Sequence, residues 1–343
     1  MRFTVGLEIT RRCNFKCRHC FVDAGRPRDD EMDTAEAGAL IRDLAACGVD
    51  TLGWSGGEPL LRDDLDALTW LASRCGMAVG LASNGLLASA ERLRALRING
   101  LGVLQVSLDG VTAEAARRLR VGPSRAYERA IEAAQEGMRQ GLETYLCTLL
   151  APETAGEIEP MIALARQLGV TGLRYTLWAP VGRAAGQGYD EQAWSSEQVR
   201  RFFEVVAREQ TRPGLDLIVD CPTGAYPGHS MFRCHAGQRM AYITAVGDVY
   251  PCTALMFPDY LAGNTRTRLV HEILFGEAMQ RVQRELAAQL PGGACAGCES
   301  IASCRGGCPG RTVATRGTLH DTDGARLGEP ACLWRLLEHS GPV

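Results

Sequence analysis

The amino-acid sequence predicts an α/β protein, a parallel sheet with helices outside it curled into a partial or full barrel, followed by a smaller cysteine-rich domain. Three observations carry this. Apolar or β-branched runs alternate six times with helix-period stretches between residues 3 and about 208. After about residue 215 that rhythm breaks into short strands, prolines and cysteines. The chain, at 343 residues and 46% apolar, is long enough for one large domain with an appendage or for two domains.

The first unit is FTVGLEI (3–9) followed by a helix opening at Asp33, where Asp33 and Glu36 form a capping box. Ala37, Leu40, Ile41 and Leu44 make its apolar stripe, and Gly48 ends it. TLGW (51–54) precedes a helix near 64–75, MAVGLAS (77–83) one near 89–97, and LGVLQVSL (101–108) one near 124–140. ETYLCTLL (143–150) precedes a helix near 156–168, and TGLRYTLW (171–178) one near 195–209. Six such units predict a partial (β/α)6 barrel of the TIM type spanning 1–215, with a second domain over 216–343 held by metal centres more than by a core. PVGRAAGQGYD (180–190) reads as a glycine-rich loop. In such folds ligands gather at the carboxyl ends of the strands.

Charged residues are 22% of the chain and the net charge is only −3, which argues against a nucleic-acid or anionic-membrane partner, since both demand a basic stripe. The start lacks a signal sequence, and no apolar run approaches the ~20 residues of a membrane helix, so the expectation is a soluble, cytoplasmic protein. Fourteen cysteines are many for that compartment, where disulfides are rarely structural, so most are expected to be metal or cluster ligands.

Cys13, Cys17 and Cys20 stand at three-then-two spacing directly after the first strand. Alone, such a triplet also fits a zinc site short of a ligand or redox-active thiols. A four-iron cube held by three cysteines leaves one iron open to a ligand that is not protein. C-x3-C-x2-C after strand one, then SGGEP (55–59) after strand two, resembles the radical S-adenosylmethionine (SAM) enzymes, in which that iron takes the amino and carboxylate groups of SAM. The resemblance implies that Gly56, Gly57 and Glu58 hold the methionine ammonium, glycines exposing backbone acceptors and a carboxylate complementing a cation. It further implies that Asn84, Ser107 and Asp109, ending the third and fourth strands, contact ribose or methionine, and that Arg120 forks onto the methionine carboxylate. His19 stands where relatives often carry an aromatic residue before the last cysteine. GGEP, SNG and SLDG each read singly as ordinary turns; their succession at the ends of consecutive strands carries the weight. Reductive cleavage of SAM to a 5′-deoxyadenosyl radical, and hydrogen abstraction from an unactivated C–H bond, is the implied chemistry.

Seven cysteines fall in the last 110 residues: Cys234, Cys252, Cys295, Cys298, Cys304, Cys308 and Cys332. Spacing alone allows a zinc ribbon. The order, with GDVYPC (247–252) and CRGGC (304–308), resembles the SPASM extension with two auxiliary four-iron clusters, making three [4Fe-4S] clusters in all. By that resemblance Cys295, Cys298, Cys304 and Cys332 hold one auxiliary cluster and Cys234, Cys252 and Cys308 the other. Cys221 could supply its fourth ligand, or an iron stays open. Thr253 replaces the acidic base that sulfatase-activating relatives carry after this cysteine, which argues against that activity.

Cys47, Cys75 and Cys147 read as buried, inert thiols, with Cys147 the one strand position from which a hydrogen atom could be returned to a product radical. The six histidines form no i,i+4 ligand pair. Tyr175 and Trp178 read as core packing more than as cavity lining. The first functional reading is modification of a ribosomally made peptide, as in the cofactor-maturation enzymes that the tail and LAGN (261–264) resemble. Against it, the chain begins almost at strand one, which leaves no room for an N-terminal peptide-binding domain, though such a partner could be a separate protein. The second is dehydrogenation, epimerisation or decarboxylation of a small molecule, such as an aminoglycoside sugar or a tetrapyrrole side chain. The third is a non-catalytic zinc-binding module. Either enzyme needs an electron donor such as flavodoxin or ferredoxin.

Overall fold

The computed structural model describes residues 3–185, 194–219, 234–288, 295–298, 301–329 and 332. The predicted alternation folds as β1 (Thr4–Thr10), α1 (Thr34–Ala46), β2 (Thr51–Gly56), α2 (Leu65–Arg74), β3 (Ala78–Ser83), α3 (Ala90–Ile98) and β4 (Leu101–Ser107). It continues through α4 (Ala113–Arg117), α5 (Ala126–Arg139), β5 (Glu143–Leu150), α6 (Ile158–Leu168), β6 (Gly172–Leu177), α7 (Ser196–Gln210) and β7 (Asp216–Val219). The remaining elements are β8 (Met240–Ile243), β9 (Asp248–Tyr250), β10 (Gly263–Asn264), α8 (Val270–Leu274), α9 (Glu277–Ala288), α10 (Ile301–Cys304) and α11 (Pro309–Arg316).

The capping box forms as the sequence requires: Asp33 Oδ1 accepts from the Glu36 N–H at 2.8 Å, and Glu36 Oε2 from the Asp33 N–H at 3.1 Å. Before residue 220 two elements were not legible. The five-residue α4 is too short to show a period, and β7 is four residues after a Pro-Gly break, yet it pairs parallel with β6.

One sheet runs β10-β9-β8-β1-β2-β3-β4-β5-β6-β7. β1 to β7 are parallel neighbours, β8 joins β1 in parallel, and β9 and β10 turn back antiparallel. Side chains alternate across each strand. Val5, Leu7, Ile9, Leu52, Trp54, Val79, Leu81, Leu104 and Val106 point to the helices and fill one core with α1 to α3 and α5 to α7. Gly6, Glu8, Ser55, Gln105, Ser107, Cys147 and Arg174 lie on the other face of their strands, the inside of the curve. A second, small core of Ala236, Leu255, Tyr260, Val282, Leu286, Val313 and Leu319 serves the C-terminal region.

Candidate active site

Because β1 to β6 run parallel, their carboxyl ends deliver the first three cysteines, the SGGEP turn, Asn84, Asp109 and Arg120 to one rim. The cysteine loop leaves β1 at Thr10 and is held by backbone hydrogen bonds and by the buried side chains of Phe15, Val22 and Ala24. The Cys13 N–H donates to Gly25 O at 3.0 Å, the Lys16 N–H to Val121 O at 2.7 Å and the Arg18 N–H to Leu119 O at 2.9 Å. Phe15 N–H points at Cys13 Sγ (3.4 Å) and Ala24 N–H at Cys20 Sγ (3.3 Å). Burial pushes the Cys13 thiol up to about 12 and also raises Cys17. Sulfurs shielded from water and facing amide donors suit thiolates neutralised by a bound cationic centre, so this donor set fits an iron–sulfur cluster.

Gly56 and Gly57 cross directly over the start of that loop. The Gly57 N–H donates to Thr10 O at 2.7 Å and the Glu58 N–H to Arg12 O at 2.8 Å. A Cβ at Gly57 would overlap the Arg12 carbonyl, and Gly56, at φ +121°, would place one 2.9 Å from Glu8 Cγ. The Glu58 side chain turns the other way. It is 1% exposed and accepts from Ser83 Oγ (2.8 Å), the Asn84 N–H (2.8 Å) and the Leu60 N–H (3.2 Å), while burial lifts its carboxyl to about 7. Glu58 thus ties β2 to the end of β3, and Asn84 Nδ2 extends the tie by donating to Asn14 Oδ1 at 2.7 Å.

Asp109 is fully buried; its Oδ1 accepts from the Leu149 N–H at 2.7 Å and its Oδ2 lies 2.6 Å from Arg120 Nε. His19 Nε2 approaches the same oxygen at 3.7 Å, and its ring stands edge-on to Trp178 at 6.1 Å. Burial drives His19 down to about 4, so the imidazole is neutral near pH 7. Burial also pulls Arg120 down, but the charge of Asp109, and then of the Cys17 and Cys147 thiolates, more than offsets it, so the guanidinium stays charged. Arg120 thereby stands between the first cluster loop and β5, where Cys147 pairs in register with Ser107. Tyr175 is core, its hydroxyl donating to Ile158 O at 2.9 Å, and Cys47 and Cys75 close the ends of α1 and α2.

Sequence reasoning missed four participants. Arg183, in the glycine-rich loop, donates to Cys17 O at 2.9 Å and to Ala24 O, and pairs with Asp23 at 2.8 Å. The loop carrying it approaches so closely that Gly182, at φ +60°, would put a Cβ into the carbonyls of Cys20 and Phe21. Glu8, 2% exposed and lifted to about 7 by burial, faces inward on β1 beside Tyr242 of β8. Arg11 lies 3.5 Å from it. An inward carboxylate among apolar alternates was the available signal for Glu8; nothing local marked Arg183 or Tyr242.

In the C-terminal region Cys304 receives the N–H groups of Gly307 and Gly306, and Cys295 and Cys298 stand close enough to act on its charge. Cys252 and Cys308 each precede a helical turn, and those turns meet where Gly310 leaves room for the Ala254 carbonyl. The Cys308 N–H donates to Glu329 Oε2 at 3.0 Å. Cys332 is half-buried, and Cys221 lies outside the described residues.

Residues 7–165 match the Radical SAM superfamily, and residues 234–299 match SPASM, an iron–sulfur cluster-binding domain. Mycofactocin maturase MftC of Mycobacterium ulcerans is 30% identical over 306 residues, 88% of this chain and 81% of that protein. The chain belongs to the radical SAM superfamily. AdoMet-dependent heme synthase of Methanosarcina barkeri is 28% identical over 356 residues, 96% of each chain, and PqqA peptide cyclase of Gluconobacter oxydans is 30% identical over 92% of this chain and 88% of its own. Streptococcus suis SuiB, solved with SAM bound, superposes at a TM-score of 0.77 with 17% identity over 97% of this chain and 77% of that one, which supports the barrel architecture. This is therefore a radical SAM enzyme with an iron–sulfur cluster-binding C-terminal region, and the zinc-module reading is set aside. No helix among the described residues is long and apolar enough to cross a membrane.

Proposed function

We propose that this radical SAM enzyme modifies a ribosomally made peptide. The observation that carries the reading is similarity over most of the chain to a PqqA peptide cyclase, named for a peptide substrate, with a mycofactocin maturase matching as well. Cys13, Cys17 and Cys20 would hold the first cluster, and Gly56, Gly57, Asn84, Ser107 and Arg120 would hold SAM, with Asp109 fixing Arg120 in place. Bound there, SAM and the cluster supply, on one-electron reduction, a radical able to take hydrogen from an unactivated C–H bond. The chain's own part is to orient and to exclude water: Trp178 and His19 close the rim beside Cys17, and the inward faces of β4 to β6 bound the space in which a substrate sits. Cys147, on that inner face, is the hydrogen donor of this reading. Cys295, Cys298, Cys304 and Cys332 would hold one auxiliary cluster, and Cys234, Cys252 and Cys308, with or without Cys221, a second. A flavodoxin or ferredoxin would supply electrons, and a separate peptide-binding protein would present the substrate.

The heme synthase match, 96% of each chain, favours a second reading in which a tetrapyrrole carboxylate side chain is the substrate. One anaerobic experiment separates the two. Reconstituted protein should carry about twelve irons for three four-iron clusters and release 5′-deoxyadenosine on reduction with SAM. Mass spectrometry of a precursor peptide encoded beside the gene, incubated in the same mixture, should show a mass change. An unchanged peptide alongside a decarboxylated porphyrinogen refutes the peptide reading.

A further inference from the structure

Arg326 is the buried cation that the site described above does not use. It sits on a hairpin that follows α11: the Asp321 N–H donates to Ala325 O at 2.9 Å and the Leu327 N–H to Leu319 O at 2.8 Å, turning the chain back beneath α9. The side chain is 4% exposed. Its Nη1 donates to Leu286 O at 3.2 Å, while its Nε, also buried, meets no acceptor.

A guanidinium removed from water needs an opposite charge. Among the described residues no carboxylate makes an ion pair with Arg326. Glu329, the acid next along the chain, faces Arg311 at 3.6 Å and accepts from the Cys308 N–H. Burial pulls the Arg326 guanidinium below its ordinary range and Arg305 adds to that; the groups whose charge acts the other way are all cysteines, Cys234 first, then Cys304 and Cys295. Cys234 belongs to one proposed auxiliary set and Cys295 and Cys304 to the other. A four-iron cluster with four thiolates carries net negative charge and gains one more on one-electron reduction, whereas neutral thiols would leave Arg326 uncompensated.

We propose that Arg326, buried with an unpaired Nε within electrostatic reach of cysteines from both sets, is the shared counter-charge of the two auxiliary clusters and favours the reduced state of both. The inference rests on the auxiliary-cluster reading above. Arg326 acts through the clusters and is a positioning and tuning residue, so the test reads potential rather than turnover.

The test is an anaerobic redox titration of the reconstituted full-length protein, followed by electron paramagnetic resonance, for wild type, Arg326→Gln and Arg326→Lys. The first cluster, recognised by its spectral response to SAM, serves as internal reference. At the potential where wild-type auxiliary clusters are half reduced, Arg326→Gln should show at least a tenfold lower ratio of reduced to oxidised cluster, about 59 mV more negative for one electron. Arg326→Lys should titrate like wild type, and the first cluster should not move. Loss of auxiliary iron in Arg326→Gln but not in Arg326→Lys also supports the charge. Unmoved potentials in Arg326→Gln, or equal loss of auxiliary iron in both variants, overturn the proposal. Wild-type protein carrying zinc in place of auxiliary iron overturns the cluster reading as well, which distinguishes the two failures.

Discussion

Replacing Glu58 with glutamine isolates the cost of keeping a carboxylate under the SGGEP turn. The wild-type group is 1% exposed, and burial moves its carboxyl from 4.5 to about 7 despite three donors. Between those two values the folded chain keeps a proton that the unfolded chain has released. Stability therefore falls as pH rises through this window, and the full penalty is present above about 7. At ~1.4 kcal/mol per pH unit, the loss between pH 5.5 and pH 8 is about 2 kcal/mol. Glutamine has the same shape, still accepts from two of the three donors, and does not titrate. Urea unfolding of wild type and Glu58→Gln, run anaerobically at several values across that range, gives the difference in stability at each pH. Glu8, also held near 7, loses stability equally in both proteins and cancels. The variant should gain on wild type by about 2 kcal/mol from pH 5.5 to 8. A difference that stays flat, or that moves against the variant as pH rises, refutes the claim that this carboxylate is desolvated.

Gly57→Ala should fold its barrel yet lose the first cluster, because a methyl group meets the Arg12 backbone carbonyl and forces the turn off the cysteine loop; iron and sulfide per chain should fall by about one third if three four-iron clusters are present, with no 5′-deoxyadenosine formed. Arg183→Ala removes charge-assisted hydrogen bonds to the Cys17 and Ala24 carbonyls, each worth about 1.5–3 kcal/mol. Chelator should strip the first cluster at least tenfold faster in that variant, while the C-terminal iron is released at the wild-type rate.

The barrel was legible because it repeats. Six amphipathic helices and six apolar strands each carry a period, and the capping box at Asp33 and Glu36 needs only four adjacent residues. The rim was legible as far as it consists of contiguous motifs, which is why Cys13 to Cys20, Gly56 to Glu58 and Ser107 to Asp109 could be named. What those motifs do with their side chains was not. The acidic residue of SGGEP reads as an ammonium partner, and its direction is set by Ser83 and Asn84, at the end of a different strand. Arg120 reads as a carboxylate fork, and the structure gives it Asp109 as a neighbour because Leu119 and Val121, on either side, pair with the cysteine loop. Arg183 is 166 residues from Cys17 in sequence, and Arg326 is 40 residues from Leu286, whose carbonyl it bonds; no local pattern encodes contacts of that range.

The joint between β8 and β1 has a mechanical consequence for the site. Residues 240–243 pair with residues 4–7 strand to strand, so the C-terminal region meets the barrel through backbone hydrogen bonds as well as side chains. At the middle of that pairing Gly6 faces Tyr242, and a Cβ there would lie 3.0 Å from the ring, so a larger residue would press on the phenol. The Tyr242 hydroxyl then reaches Glu8 Oε2 at 3.4 Å and bonds Ser55, while its ring stands edge-on to Phe21 at 5.8 Å and packs with Cys20. Burial and the Glu8 charge both hold Tyr242 well above the usual phenol range, so it stays protonated and remains a donor. On the surface, Arg266 clamps Glu36 at 2.8 Å and Asp30 O at 2.9 Å, and the Met32 N–H donates to Ala245 O at 2.8 Å. Contacts at both layers fix the first cysteine loop against β8 and the turn after it. A shift of either strand by one residue would reverse every side chain along it and expel Tyr242 from beside the loop. The separation between the first cysteine loop and Tyr242 is thus set by strand register, which tolerates no gradual slippage.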